Sequence, residues 1–155
     1  MITKLPVSFY VLSDHKAQDF LGFMAQLVQT ALNKSHQSLL ILNDDESALL
    51  ELDTALWAHD ATSFIPHQLV IADAIQSDDN VLAPVLLADH LPAQFTGMVL
   101  NTTANIVMDF MSATHNVALT RILEIIKPDA ASVATGRSKY KCYQQLGYEL
   151  THFKV

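Results

Sequence analysis

Short runs of uninterrupted apolar residues constrain this chain more than any other feature. Leu39-Leu40-Ile41-Leu42, Val85-Leu86-Leu87-Ala88 and Met98-Val99-Leu100 are of strand length and apolar at every position. A strand with one face in water alternates apolar and polar residues; a strand apolar at every position must be covered on both faces. Between such runs lie helical patterns. Phe20, Phe23, Met24, Leu27, Val28, Ala31 and Leu32 recur at three- and four-residue steps, one apolar stripe of a helix, with Asp14 or Asp19 placed to cap its start. Leu49, Leu50, Leu52, Leu56 and Trp57 follow the acidic Asp44-Asp45-Glu46, which reads as a cap and first turn of a second helix.

The remaining punctuation completes the order of elements. Val7–Leu12 is β-branched and aromatic and ends at Ser13-Asp14, so a first strand is predicted there. Pro66 keeps Ile65 out of helix, and the acidic stretch 73–80 reads as a loop. A short helix is predicted over 104–111 and a strand over Ile122–Ile126. A helix is predicted from Asp129 to Gly147, a left-handed cap residue, and an alternating strand over Tyr148–Val155. Strands alternating with helices predict a three-layer α/β/α fold with a mostly parallel central sheet. No repeat, low-complexity tract or linker divides the 155 residues, so one domain spanning 1–155 is expected.

A parallel α/β sheet invites a nucleotide at its first strand-to-helix turn, where glycines let the backbone approach a pyrophosphate. Here that turn is Ser13-Asp14-His15-Lys16-Ala17-Gln18-Asp19, with no glycine and two carboxylates. The four glycines, at 22, 97, 136 and 147, form neither GxGxxG nor GxxxxGK[ST]. The sheet is therefore expected to be Rossmann-like without a phosphate-binding loop. The seven histidines show no HxH or HExxH spacing, so no metal or other cofactor is expected. Cys142 is the only cysteine, which excludes an internal disulfide; it reads as a small buried hydrophobe. A nucleotide- or metal-dependent enzyme stays as the alternative. No extended apolar stretch opens the chain, and the uncharged run Gln94–Met108 is too polar to span a bilayer. A cytoplasmic protein without membrane contact is expected.

Charge is distributed unevenly. The net value is −7, but residues 1–129 hold five Lys or Arg against fifteen Asp or Glu. Residues 130–155 reverse this, with Arg137, Lys139, Lys141 and Lys154 against Glu149 alone. An acidic body repels a nucleic-acid backbone, so DNA contact is expected to be indirect only. A compact positive patch suits an acidic partner. On the last helix Arg137, Tyr140, Lys141 and Gln144 share one face by their spacing, while Ala130, Val133, Ala134, Tyr143 and Leu146 are available for packing. The face offers a forked donor, an aromatic plate and a point charge, a set suited to a carboxylate-bearing peptide with an apolar end. A second informative segment places Trp57 at a helix end with Phe64 and Pro66 just beyond, and large aromatics at such corners are typical anchors of protein contacts.

These two segments, LDxALW with SFxPHxL over residues 52–69 and YKxYxxxGYxL at the end, resemble the chi subunit family of bacterial DNA polymerase III holoenzyme. The resemblance implies a non-catalytic accessory subunit of the clamp-loader assembly in DNA replication. It also implies two partners: the psi subunit and the acidic, Phe-ending C-terminal tail of single-stranded DNA-binding protein. Carried over by position, Trp57, Phe64 and Pro66 belong to the psi-facing surface. Arg137, Tyr140 and Lys141 belong to the tail-binding pocket, with Val133 and Gln144 on the same helix. The family pattern has a further basic residue one turn before the Arg, where this chain has Val133. Either the pocket is less positive or Lys139 supplies the charge from an adjacent face.

Overall fold

A computed structural model describes residues 5–35, 37–58, 66–70, 84–92, 95–110 and 118–155. The first strand, β1 (Pro6–Val11), is followed by a one-turn helix α1 (Asp14–Gln18) and a long helix α2 (Phe20–Ser35). Two side chains start these helices. Ser13 Oγ accepts from the Lys16 N–H at 3.3 Å, and Asp19 Oδ1 accepts from the Gly22 N–H at 3.2 Å. Asp19 is thus the carboxylate that caps the long helix. The turn where nucleotide-binding sheets cradle phosphate is here a capped helical turn.

The chain continues through β2 (Leu39–Leu42), α3 (Glu46–Ala58), β3 (His67–Val70), β4 (Val85–Ala88) and β5 (Thr96–Asn101). After a 3-10 turn at Val107–Phe110 come β6 (Ala118–Ile126), α4 (Ala130–Gln145) and β7 (Glu149–Lys154). Among the described residues the strands form one seven-stranded sheet in the order β3-β4-β2-β5-β6-β1-β7, with every pairing parallel. The three-layer parallel architecture read from the sequence is the architecture observed.

Side-chain parity explains the two cores. Leu39, Ile41, Val85, Leu87, Met98 and Leu100 point to one face, where Met24 and Val28 of α2 and Leu49, Leu52 and Leu56 of α3 cover them. Leu40, Leu42, Leu86, Ala88 and Val99 point to the other, under Tyr143 of α4 and Val107 of the 3-10 turn. Residues of β2 and β4 are buried throughout, as their unbroken apolar runs require.

Three local readings change. Of the helix expected over 104–111, the described residues 104–110 form only one 3-10 turn, because Asn101, Thr103 and Asn105 bond to one another just before it and fix an irregular loop. The strand expected from Ile122 begins four residues earlier, its exposed leading half pairing with Thr96 and Gly97 of β5. Strand β3 had no periodic signal, since three of its four residues are only half-buried at the sheet edge. The loop reading for 73–80 lies outside the described residues.

Candidate functional site

The site is built on α4. Asp129 caps it: its carboxylate accepts from the Ser132 N–H at 2.9 Å and from the Ser132 hydroxyl at 2.8 Å. Those two bonds hold the Asp129 carboxyl below the usual carboxylate range. At the other end Gly147 takes φ +82°, the left-handed value anticipated for the residue that ends the helix. Gly136 lets the helix approach β6, because a Cβ there would lie 2.6 Å from Ile126 Cδ1.

The inward stripe is Gly136, Lys139 and Tyr143. Lys139 Nζ pairs with Glu124 Oε1 of β6 at 2.9 Å and donates to the Thr103 carbonyl at 2.5 Å. The second carboxylate oxygen of Glu124 accepts from the Tyr143 hydroxyl at 2.5 Å and from Asn101 Nδ2 at 2.8 Å. The Tyr143 oxygen in turn accepts from the Val107 N–H at 3.2 Å. Burial pushes the Glu124 carboxyl up, opposed first by the Lys139 charge and then by these hydrogen bonds. Burial and the neighbouring carboxylate push the Tyr143 hydroxyl well above its ordinary range. Each of these groups finds its partners inside the fold.

That network corrects the reading of α4 in three ways. Lys139 supplies no charge to the Arg137 face: it is buried on the other flank of the helix and paired with Glu124. Leu146 is 48% exposed, Ala130 and Ala134 are exposed, and Val133 is half-buried, so Tyr143 alone of the anticipated packing residues is fully buried. With Gly136, Lys139 and Tyr143 inward, the 100° helical step turns positions 130 and 134 outward. Cys142 is also exposed rather than buried, because it follows Lys141 on the outer side.

The opposite flank carries the ledge. Val133, Arg137, Tyr140 and Gln144 follow one another at four- and three-residue steps and look toward β7; Lys141 lies further outward. Arg137, Lys141 and Gln144 are exposed. Among the described residues neither Arg137 nor Lys141 forms an ion pair. Tyr140 is held as a half-buried plate, its ring stacked on His152 of β7 at 5.0 Å and 19° and tilted against Phe9 at 5.6 Å. His152 and the exposed Lys154 belong to this surface; the sequence counted Lys154 in the basic segment without placing it beside the helix face, and His152 was missed. The available signal was the alternation of 148–155, which places 150, 152 and 154 on one side of the strand.

The aromatic corner lies at the other edge of the sheet. Trp57, on the last turn of α3, is 57% exposed, and its ring centroid is 4.7 Å from that of His67 in β3. His67 Nε2 sits 3.0 Å from Asp53 Oδ1. Leu50, seven residues before Trp57, is 46% exposed, so α3 leaves two large apolar side chains in solvent. Pro66 is exposed, while Phe64 lies outside the described residues. Counting across the strand order, β3 and β7 are six strand intervals apart, about 29 Å at 4.8 Å each.

A cavity of about 500 Å³ opens at the carboxyl ends of the strands, where parallel sheets hold ligands. Its polar lining includes Asn43, Asn101, Thr103, Glu124 and Lys139. Among the described residues no three His, Cys, Asp or Glu side chains converge on one point, and no helix is long and apolar enough to cross a membrane.

A family model described as DNA polymerase III chi subunit, HolC, matches residues 6–151. The chain belongs to the DNA polymerase III chi subunit family. Chi-family membership makes it an accessory subunit in DNA replication. It is similar to the DNA polymerase III subunit chi of Escherichia coli (strain K12), 28% identical over 146 residues that cover 92% of this chain and 93% of that protein. It is equally similar to the DNA polymerase III subunit chi of Pseudomonas aeruginosa (strain PAO1), 28% identical over 150 residues, 96% of each. As a chi-family chain it carries the positive ledge and the aromatic corner on opposite edges of the sheet.

Proposed function

We propose that the protein is a non-catalytic, cytoplasmic adaptor, acting as one domain that bridges two partners in the clamp-loader assembly. The psi subunit docks on the corner that carries Trp57 and Pro66, and Phe64 is assigned to the same partner by its place in the sequence between them. The acidic tail of single-stranded DNA-binding protein docks on Arg137, Tyr140 and Lys141, with Val133 and Gln144 as walls. DNA is reached only through that partner. The observation that carries this reading is the ledge itself: Arg137 and Lys141, without an ion pair among the described residues, beside an aromatic plate on a chain of net charge −7.

The ledge suits such a tail chemically. Arg137 offers a fork to a carboxylate, Lys141 adds a point charge, and the Tyr140 plate with half-buried Val133 offers apolar surface to a terminal Phe. Val133 leaves the pocket with less charge than the family pattern, and with Lys139 withdrawn into the core the tail affinity is correspondingly modest. The separation of about 29 Å between the two edges lets both partners sit at once without collision.

Calorimetry with an acidic peptide ending in Phe tests the site. The charged contribution weakens with salt, since the screening length falls from about 10 Å at 0.1 M to about 3 Å at 1 M. Binding that is unchanged in both Arg137→Ala and Lys141→Ala refutes the assignment. The cavity at the strand ends favours a second reading, a nucleotide- or metal-dependent enzyme. Against it, two of the charged groups on the cavity wall, Glu124 and Lys139, are bonded to each other. A rise of several degrees in melting temperature with any nucleotide or divalent metal would revive it.

A further inference from the structure

The last strand has one side in use and one side open. β7 ends the sheet, with no strand beyond it among the described residues. Its bonds to β1 involve odd-numbered residues. The Glu149 N–H donates to Leu5 O at 3.1 Å, the Val155 N–H donates to Val11 O at 3.0 Å, and Val155 O accepts from the Ser13 N–H at 2.9 Å. In a parallel ladder a strand turns every second residue to each neighbour. The N–H and C=O groups of Leu150, His152 and Lys154 therefore face outward.

The same three residues carry the side chains that border the ledge. Leu150 packs in the core layer with Tyr143, His152 stacks on Tyr140, and alternation puts Lys154 on their side. Three residues back along α4 from Tyr140 is about 4.5 Å, and two residues on from His152 along β7 is about 6.6 Å. Arg137 and Lys154 thus stand at a similar level, one on the helix and one on the strand.

We infer that the open edge of β7 is the second half of the tail dock: an acidic peptide adds there as an eighth strand. Its backbone pairs with Leu150, His152 and Lys154, while its carboxylates meet Lys154, Arg137 and Lys141. This rests on the reading of the ledge as a dock for an acidic tail and extends it from side-chain capture to backbone pairing. Charge selects the occupant. The edge presents Lys154 and the ledge presents Arg137 and Lys141, with Glu149 the one acidic side chain of residues 130–155. A second copy would bring like charges face to face, whereas an acidic strand brings opposite ones. Lysine on an edge strand also guards it against indiscriminate pairing, which leaves an anionic strand as the acceptable addition.

The test uses the full chain, isotope-labelled, with an acidic peptide of about nine residues ending in Phe. On peptide addition, amide exchange of Leu150, His152 and Lys154 slows, while Thr151 and Phe153, already bonded to β1, change little. A series of peptides N-methylated one position at a time loses affinity roughly three- to tenfold at alternate positions and less than about twofold between them. If the peptide binds and Arg137→Ala weakens it, yet no amide slows and N-methylation is neutral throughout, the edge is not used. The inference then falls while the adaptor reading stands. If the wild-type chain does not bind the peptide at all, both fall. Slowing of the same amides without peptide, rising with protein concentration, assigns the edge to a second copy and overturns the inference.

Discussion

Replacing Lys139 by Met separates the two flanks of α4. Methionine keeps the unbranched apolar stem, so the change removes a charge and two hydrogen bonds more than it removes volume. Glu124 is left 1% exposed without its ion-pair partner, and the Thr103 carbonyl loses its donor. Breaking a buried pair in this way costs about 3–5 kcal/mol, a large share of the 5–15 kcal/mol that is typical of a domain. At this chain length the melting temperature falls by roughly 10–15 °C. The loss depends on pH with a definite sign. Burial already raises the Glu124 carboxyl, and Lys139 is the strongest influence lowering it. Without Lys139 the folded carboxyl titrates further above its unfolded value of about 4.3. A group raised in this way contributes stability that is complete below the unfolded value and is lost as pH rises through the folded one. The deficit is therefore smaller at pH 5 than at pH 8, with a slope of at most about 1.4 kcal/mol per pH unit. Adding Glu124→Gln removes the titration and flattens the profile. Urea unfolding across pH 5–8, followed by circular dichroism, measures this directly. A deficit under about 1 kcal/mol at pH 8, or one that grows toward acid, refutes the description of the buried pair.

Other predictions concern the surface and the same network. Arg137→Ala and Lys141→Ala each weaken tail-peptide binding by about 1–3 kcal/mol in calorimetry, whereas Lys139→Met leaves it unchanged below its melting temperature. Trp57→Ala changes unfolding free energy by less than about 1 kcal/mol, since most of the ring is in solvent. It nonetheless weakens psi binding by about 2 kcal/mol or more, as expected for an aromatic anchor. Tyr143→Phe removes a hydroxyl bonded to Glu124 and to the Val107 N–H; it costs about 1–3 kcal/mol by chemical denaturation and spares both partners.

The fold was legible where one local pattern determined burial. Unbroken runs such as Leu39–Leu42 could only be central strands, and the spacing of Phe20 to Leu32 could only be a helix stripe. Asp129 and Gly147 marked the ends of α4 through their own backbone and side-chain chemistry. What escaped was non-local. Lys139 reads as one more surface cation of a basic segment until Glu124, fifteen residues earlier, is brought against it by the packing of α4 on β6. The hint was Glu124 itself, a lone carboxylate inside Ile122-Leu123-Glu124-Ile125-Ile126. The placement of His152 and Lys154 beside Tyr140 and Arg137 escaped because it depends on β7 lying beside β1 rather than elsewhere in the sheet. The exposure of Leu50 was not legible either, because apolar periodicity does not reveal which flank of α3 lacks a covering layer.

The most direct test is whether both edges work at once. Sedimentation of the protein with psi and a labelled acidic, Phe-ending peptide should give one ternary species, with peptide affinity the same in the presence and absence of psi. Arg137→Glu should lose the peptide and retain psi, and Trp57→Ala should do the reverse. Competition between psi and the peptide for the wild-type chain, or loss of both partners from either folded variant, would contradict a bridge built on opposite ends of one sheet.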